Sequence, residues 1–417
     1  MSDNIPNCGK PRDLSHFISS SPWSAESVMA HTRSIIIASM KKGKMVIIDE
    51  SGQQKFGLFS VGTSNQYCGN KGGNCNCQTG VFASYYCDGE SLPVDFRLFL
   101  PKKWVDNPER CLKAGIPLDK IEHHTKPQLA LDMIEKLIFE QIEFKYVLAD
   151  ALYGNDSHFI SGLERKGLYF VCDISSDTHV YVEEPIVGVP LKKGNRGRPS
   201  FKPKVLNTSS VTVQSISDQI QEWESIDVRL TERGLKTVLA ANVRVWRRED
   251  GLPVETPVRL LIIKDPAKDD LMFTFCNQMD GDFNHLVRIQ STRYWIERNF
   301  EDIKGLADMD SFRGRNWNAW HHHIVLAIIA LTLITAIRMG LLKNGVWISL
   351  QEVVRIVKCH NPLHHPTAED IVQKINSMHQ LRIKMTMGNI HRGLQTVFGR
   401  YIEKIEDFIK ITASLAV

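Results

Sequence analysis

An α/β fold whose sheet has parallel members, interrupted by a β-rich segment and flanked by helical ends, is predicted by three features of the sequence. Apolar strand patterns alternate with amphipathic helical patterns across residues 44–174, as in crossover units packed on a sheet. Across 175–285, β-branched residues and turns dominate. Helical periodicity returns at Phe283 and runs almost to the end. The expected organisation is a helical lead-in (1–43), a first core part (44–174), a β-rich insertion (175–285), a second core part (286–345) and a helical C-terminal region (346–417).

Each element has its own local reason. Ser21-Pro22-Trp23-Ser24 suggests a cap for a helix over Ala25–Met40. Met45–Ile48 is a short apolar run that ends at Asp49, with a turn expected at Gly52. Gly69–Gly73 reads as a loop, and Gln78–Tyr86 and Leu92–Leu100 as strands around Cys87-Asp88-Gly89-Glu90. Leu129, Ile134, Leu137, Ile138 and Ile142 recur at three- and four-residue steps, predicting a helix over Gln128–Glu143. Tyr146–Ala149 is a second buried strand ending in an acid, Asp150, followed by a helix (Ser157–Lys166) and a strand (Tyr169–Asp173). In the insertion, strands are expected at Val211–Ile216, Ser225–Thr231, Thr237–Trp246, Val258–Lys264 and Met272–Asn277. Ile324–Ile337 is almost continuously apolar, but its 14 residues fall short of the roughly 20 that a membrane span needs, so it reads as a buried helix.

Composition narrows the partners. The 51 basic and 47 acidic residues leave a net charge of +4, so a nucleic-acid reading must rest on local clusters. The nine cysteines follow a polar N-terminus and suit a reducing, cytoplasmic setting rather than a disulfide framework. Cys68, Cys75 and Cys77 match no Cys-x-x-Cys pair and read as reduced thiols. His123–His124, His321–His323 and His364–His365 stay unassigned, because adjacent side chains on a helix point apart.

Asp49 and Asp150 both terminate strongly apolar strands. Functional groups of open α/β sheets gather at such carboxyl ends, and if the two strands are neighbours their carboxylates share one crevice. Two close carboxylates repel unless a cation lies between them, and hard divalent cations such as Mg²⁺ prefer such oxygens. The segment STRYWIERNFEDIKGLAD (Ser291–Asp308) predicts a helix on which Arg293 and Lys304 flank Glu297, beside an apolar stripe of Ile296, Phe300 and Ile303. A metal ligand bracketed by two cations suits phosphodiester chemistry. The same features also occur as turn or cap aspartates and as a solvated helix face. No GxxxxGK[ST] loop and no GxSxG elbow occurs, so neither a nucleotide cofactor nor that serine nucleophile is expected.

In order and context, three segments resemble those of DDE transposases of bacterial insertion sequences. They are IIDESGQQKFGLFSVGTSNQYCGNKGGNCNCQTGV, VLADALYGND and RYWIERNFEDIKGLADMDSFRGRNWNAWHHH, within a likeness over roughly 13–345. The resemblance implies a ribonuclease H-like catalytic core, with Asp49, Asp150 and Glu297 as catalytic metal ligands for two Mg²⁺ ions, Mn²⁺ being a substitute. It implies cleavage at element ends and strand transfer into double-stranded target DNA, by a homodimer and without a membrane. Arg293, Glu297 and Lys304 match the arginine, glutamate and lysine of a tyrosine–arginine–glutamate–lysine signature, whereas the tyrosine position holds Gln290. Asp49 and Asp150 are 101 residues apart and Asp150 and Glu297 are 147 apart, the longer gap accommodating the insertion. Similar proteins carry a longer helical segment before the region of Asp13–Arg33, which implies impaired or relocated end recognition here.

Leu191–Lys204 carries six basic residues (Lys192, Lys193, Arg196, Arg198, Lys202 and Lys204) and no acid, marking a candidate DNA contact. Its Arg196-Gly197-Arg198-Pro199 core resembles AT-hook peptides that lie in a narrow minor groove. Trp223 and Trp246 are candidates for stacking on a displaced base, or members of the β core. The modestly basic tail Met378–Lys410 reads as helix surface, or as a contact to DNA or a second protomer. Two other functions fit part of the pattern: a DNA-binding remnant without catalysis, and a ribonuclease H-like structure-specific nuclease.

Overall fold

The computed structural model describes residues 11–40, 45–190, 201–231, 234–268 and 270–359, with isolated positions from 369 to 383. The chain divides into two compact units, one of Lys10–Leu333 and a second that takes in the chain from Ile334.

The first unit begins with α1 (Pro11–Ser19) and α2 (Ala25–Ser39), the latter capped by Ser24, whose side chain accepts from the Ser27 amide. Then come β1 (Met45–Gln54), β2 (Ser64–Cys68), β3 (Gly73–Cys87) and β4 (Glu90–Leu98). The expected turn at Gly52 does not form, because β1 continues as a ladder from Met45↔Tyr86 to Gln54↔Cys77. Glycine suits this place for another reason: a Cβ there would lie 2.9 Å from Cys68 Sγ.

Short α3 (Lys102–Val105) and α4 (Pro108–Lys113) lead to α5 (Lys126–Phe139), which opens with a Thr125–Gln128 capping box. β5 (Tyr146–Ala149), α6 (Ala151–Gly154), α7 (Ser157–Arg165) and β6 (Tyr169–Ile174) complete the alternating region. β1 pairs parallel with β5, and β5 parallel with β6, while β3 is antiparallel to both β1 and β4. The order β4-β3-β1-β5-β6 is that of a ribonuclease H-like fold. Its central strands are buried throughout (Val46, Ile47 and Ile48; Val147, Leu148 and Ala149), as strands covered on both faces must be.

After β6 the chain forms β7 (His179–Tyr181), β8 (Val187–Gly188), β9 (Lys204–Val205), β10 (Val211–Thr212), α8 (Val213–Ser217), β11 (Glu224–Thr231), β12 (Gly234–Glu249), β13 (Leu252–Asp265) and β14 (Asp270–Cys276). Apart from β8 and β9, which pair with each other as a small ribbon, these strands do not form a separate sheet. β14 pairs antiparallel with β6, from Phe273↔Ile174 to Cys276↔Val171, so the sheet continues through β14, β13 and β12 to β7 and β10. Among the described residues this makes one sheet of 12 strands.

The helix expected over Ser291–Asp308 forms with a later start, at Tyr294, and is set off from the helix before it. α9 (Phe283–Ser291) stops, and α10 (Tyr294–Ala307) restarts after a tight turn. Thr292 Oγ1 donates to Ile289 O (2.6 Å), and Trp295 N and Ile296 N bond to carbonyls three residues back. Val287 of α9 is buried with Ile226, Val238, Ala240 and Ile263, so this helix rides on the inserted strands. Ile296, Phe300 and Ile303 of α10 pack on the core, with the Phe300 ring edge-on to Phe82. Asp308, at φ 54°, ends α10 in the left-handed region.

α11 (Trp317–Lys343) is longer than the apolar run within it, and by length and composition alone it could cross a membrane. Ala319, Trp320, Ile324, Val325, Ile328 and Leu331 are nevertheless buried, as in the core helix of a globular unit. In the second unit, α12 (Leu350–Cys359) buries Val353 and Val354 and is preceded by a Ser349–Glu352 capping box.

Candidate active site

β1 and β5 run side by side in the register Met45↔Tyr146 to Ile47↔Leu148, so Asp49 and Asp150 leave the same end of the sheet two residues later. Side-chain oxygens of Asp49, Glu50 and Asp150 all lie within 4.8 Å of one another. Asp49 Oδ1 accepts from the Glu50 amide (2.7 Å), and Asp150 Oδ1 caps α6 by accepting from Leu152 N (2.9 Å). Burial, reinforced by the charges of Asp150 and Glu50, pushes the Asp49 carboxyl up to about 8, with Arg293 opposing. Asp150 rises to about 6 through burial and the neighbouring Glu50. Both carboxyls therefore hold protons more tightly than free aspartate, which is the electrostatic cost of assembling acids without a counter-cation.

Glu50 is the member that sequence reasoning missed. Its oxygens are fixed by Lys126 Nζ (2.8 Å) and by the fully enclosed Tyr153 hydroxyl (2.9 Å). The clue is the Asp49-Glu50 pair, but alternation along a strand directs neighbours to opposite faces, so adjacency alone does not unite them.

Asp173, at the end of β6, was missed although it also follows an apolar strand. Its Oδ1 accepts from Thr274 Oγ1 (2.7 Å) and Gln290 Nε2 (3.1 Å), and its Oδ2 sits 2.9 Å from Arg293 Nε. Gln290 is buried and spends its amide on this carboxylate. Beside them, Gly154 packs so tightly that a Cβ would lie 1.9 Å from Asp173 O.

Arg293 joins the two groups of acids. It contacts Asp173 through Nε and Glu297 Oε1 through Nη1 (3.1 Å). Burial works against its charge, but Asp173, Glu297, Asp49 and Asp150 together raise its pKa. In this arrangement Arg293 is engaged by carboxylates. Glu297 is about half exposed on the first turn of α10 and does not belong to the tight Asp49–Glu50–Asp150 group; it adjoins that group through Arg293. Lys304 lies about two turns beyond Glu297 along α10, over the Phe300 ring. Burial lowers its pKa, with Asp310, Cys68 and Asp49 opposing only in part.

Other candidates separate. Lys192, Lys193, Arg196 and Arg198 lie outside the described residues, as do His364–His365 and almost all of the tail Met378–Lys410. Lys204 begins β9, which pairs with β8, and Lys202 is exposed just before it. Trp246 is buried in β12 opposite Tyr181 and Pro257 and is not presented to a base, whereas Trp223 is half-buried. The three neighbouring histidines of α11 each face a different backbone group: His321 meets Trp317 O, His322 meets Ile18 O and Trp23 O, and His323 meets Asp308 O and Met309 O. Cys68, Cys75 and Cys77, unpromising by spacing, have sulfurs within 4.8 Å of one another.

The acidic trio fits a divalent cation. Its donors are all hard oxygens, they converge at one sheet end, and their raised proton affinities mark a charge deficit that a cation would fill. The comparisons point the same way. A model of the DDE superfamily endonucleases matches residues 1–236, a span that holds Asp49 and Asp150 and ends before Arg293, Glu297 and Lys304. A probable transposase for insertion sequence element IS701 from Microchaete diplosiphon is 33% identical over 171 residues, or 40% of this chain; the chain spans 42% of that relative's length. With a ribonuclease H-like strand order, paired aspartates at adjacent parallel strand ends and a family match over more than half its length, the chain belongs to the DDE superfamily endonucleases.

Proposed function

We propose that this protein is a transposase, cutting phosphodiester bonds at the ends of an insertion element and joining the freed 3′ ends to double-stranded target DNA. The observation that carries the reading is the convergence of Asp49, Glu50 and Asp150 at the ends of two parallel strands. Asp49, Asp150 and Glu297 are assigned as metal ligands, with Mg²⁺ as the physiological ion, two ions per site and Mn²⁺ as a substitute. Such ions activate a water nucleophile and stabilise the leaving oxygen in phosphoryl transfer.

The chain's own residues prepare that site. Lys126 and Tyr153 hold Glu50, and the Asp150 cap fixes the start of α6. Arg293 orients Glu297 from the Asp173 side, and Lys304 supplies positive charge near Asp49. Lys192, Lys193, Arg196, Arg198, Lys202 and Lys204 are assigned to the DNA backbone. Two copies would bring two element ends together, in the bacterial cytoplasm.

The test is incubation of the full-length protein with DNA from the ends of its element, with Mg²⁺ and with chelator. Metal-dependent nicking that disappears in Asp49→Asn is expected, with DNA binding retained. Equal cleavage by that variant refutes the assignment. Bound but uncut end DNA favours a binding remnant, and cutting of branched DNA irrespective of end sequence favours a structure-specific nuclease.

A further inference from the structure

In a flat hairpin the β2 and β3 thiols would be scattered. Cys68 pairs with Gly73, four positions from Cys77, or more than about 10 Å along an extended strand. Instead the hairpin curls back over β1. The Cys68 Cα lies 3.5 Å from where a Gly52 Cβ would stand, and the three sulfurs come within 4.8 Å of one another. Four thiolates, or three and another donor, around Zn²⁺ sit about 2.3 Å from the metal, which sets their mutual separation near about 3.8 Å. Side-chain rotations that move each sulfur by less than about an ångström would close that gap.

We propose that Cys68, Cys75 and Cys77 form a second metal site, for a borderline-soft cation such as Zn²⁺, distinct in chemistry from the carboxylate site. Thiolate donors select Zn²⁺ over Mg²⁺, so both sites can be filled in one molecule. Cys68 and Cys77 are buried while Cys75 is half-buried, leaving an entry side and a fourth position for water or another donor. Besides its neighbouring thiols, Cys77 Sγ makes long contacts to Gln66 O (3.8 Å), Tyr67 O (3.9 Å) and Thr79 Oγ1 (3.9 Å). Gly52 makes the approach possible, three residues from Asp49 on the same strand. A cation here would pin the β2–β3 hairpin onto the strand that carries the first catalytic aspartate.

The test uses the full-length protein, reduced, stripped with chelator and titrated with Co²⁺ in the absence of oxygen. A thiolate-to-cobalt charge-transfer band is expected, saturating at about one ion per chain, displaced by Zn²⁺ and untouched by excess Mg²⁺. Cys75→Ser should lose the band, whereas Cys87→Ser, outside the cluster, should keep it. In parallel, Zn²⁺ should protect Cys75 of the unmodified protein from alkylation, a readout that needs no variant. Absence of the band, its survival in Cys75→Ser, unprotected Cys75, or a disulfide among the three cysteines under the same conditions overturns the proposal.

Discussion

Asp49→Asn should stabilise the metal-free protein while abolishing its chemistry. Burial and the neighbouring acids raise the Asp49 carboxyl from its ordinary value of 3.8 to about 8, so near pH 7 the folded protein must bind a proton that the unfolded chain does not. Each pH unit between the two values is worth about 1.4 kcal/mol, giving an upper bound of about 4 kcal/mol at pH 7. Water reaching the half-buried site reduces this to about 2 kcal/mol. Asparagine resembles the neutral acid and avoids the cost. The sign follows from the raised folded-state pKa: the gain is near zero below the unfolded value, grows as pH rises toward about 8, and is constant beyond. Urea unfolding in chelator at about pH 4, 6 and 8 measures it. A variant no more stable than the parent at about pH 8, or a gain independent of pH, refutes the electrostatic account.

The neighbouring predictions use the same geometry. Mg²⁺ binding measured by calorimetry should tighten from about pH 6 to about pH 8 and release protons, because ions and protons compete for Asp49 and Asp150; affinity independent of pH argues against these ligands. Gly154→Ala should cost more than about 3 kcal/mol in chemical unfolding, since its Cβ would be driven into Asp173 O, and unchanged stability would contradict the packing of α6 on β6. Arg293→Gln should lower strand cleavage and cost roughly 2–3 kcal/mol by leaving Asp173 unpaired, with Asp173→Asn in the same chain restoring stability but not cleavage. Arg33→Met should cost about 3–5 kcal/mol, because the buried guanidinium is shared by Glu140 and Val94 O; a loss below about 1 kcal/mol would show that the pair is solvated.

Residue pattern revealed the two central aspartates for a simple reason. Asp49 and Asp150 each follow a run of apolar residues too short for a helix, and strand pairing then needs only one neighbour relation to unite them. Asp173 follows the same kind of run after Tyr169, but its partners come from β14 and α9, more than a hundred positions away, and no local signal announces them. The break at Thr292 depends on one hydroxyl choosing the Ile289 carbonyl over water. Spacing did not disclose that the three thiols are neighbours, because Cys-x-x-Cys rules describe tight local turns, whereas Cys68, Cys75 and Cys77 meet through a hairpin bending back on a third strand. The continuation of the sheet into the inserted strands was equally hidden, since alternation identifies a strand but not its neighbour.

The seam between β6 and β14 limits what can be trimmed from this molecule. Removing the insertion together with β14, as though it were a detachable module, would strip one side of β6 and leave its amides and carbonyls open to any passing chain. Natural shortening or lengthening should therefore occur at the far hairpin tips, such as Asp250–Gly251, while β14 persists as a staple beside Asp173. An engineered miniature that keeps β14 and closes the gap with a short turn should stay soluble, whereas one cut cleanly after Ile174 should aggregate.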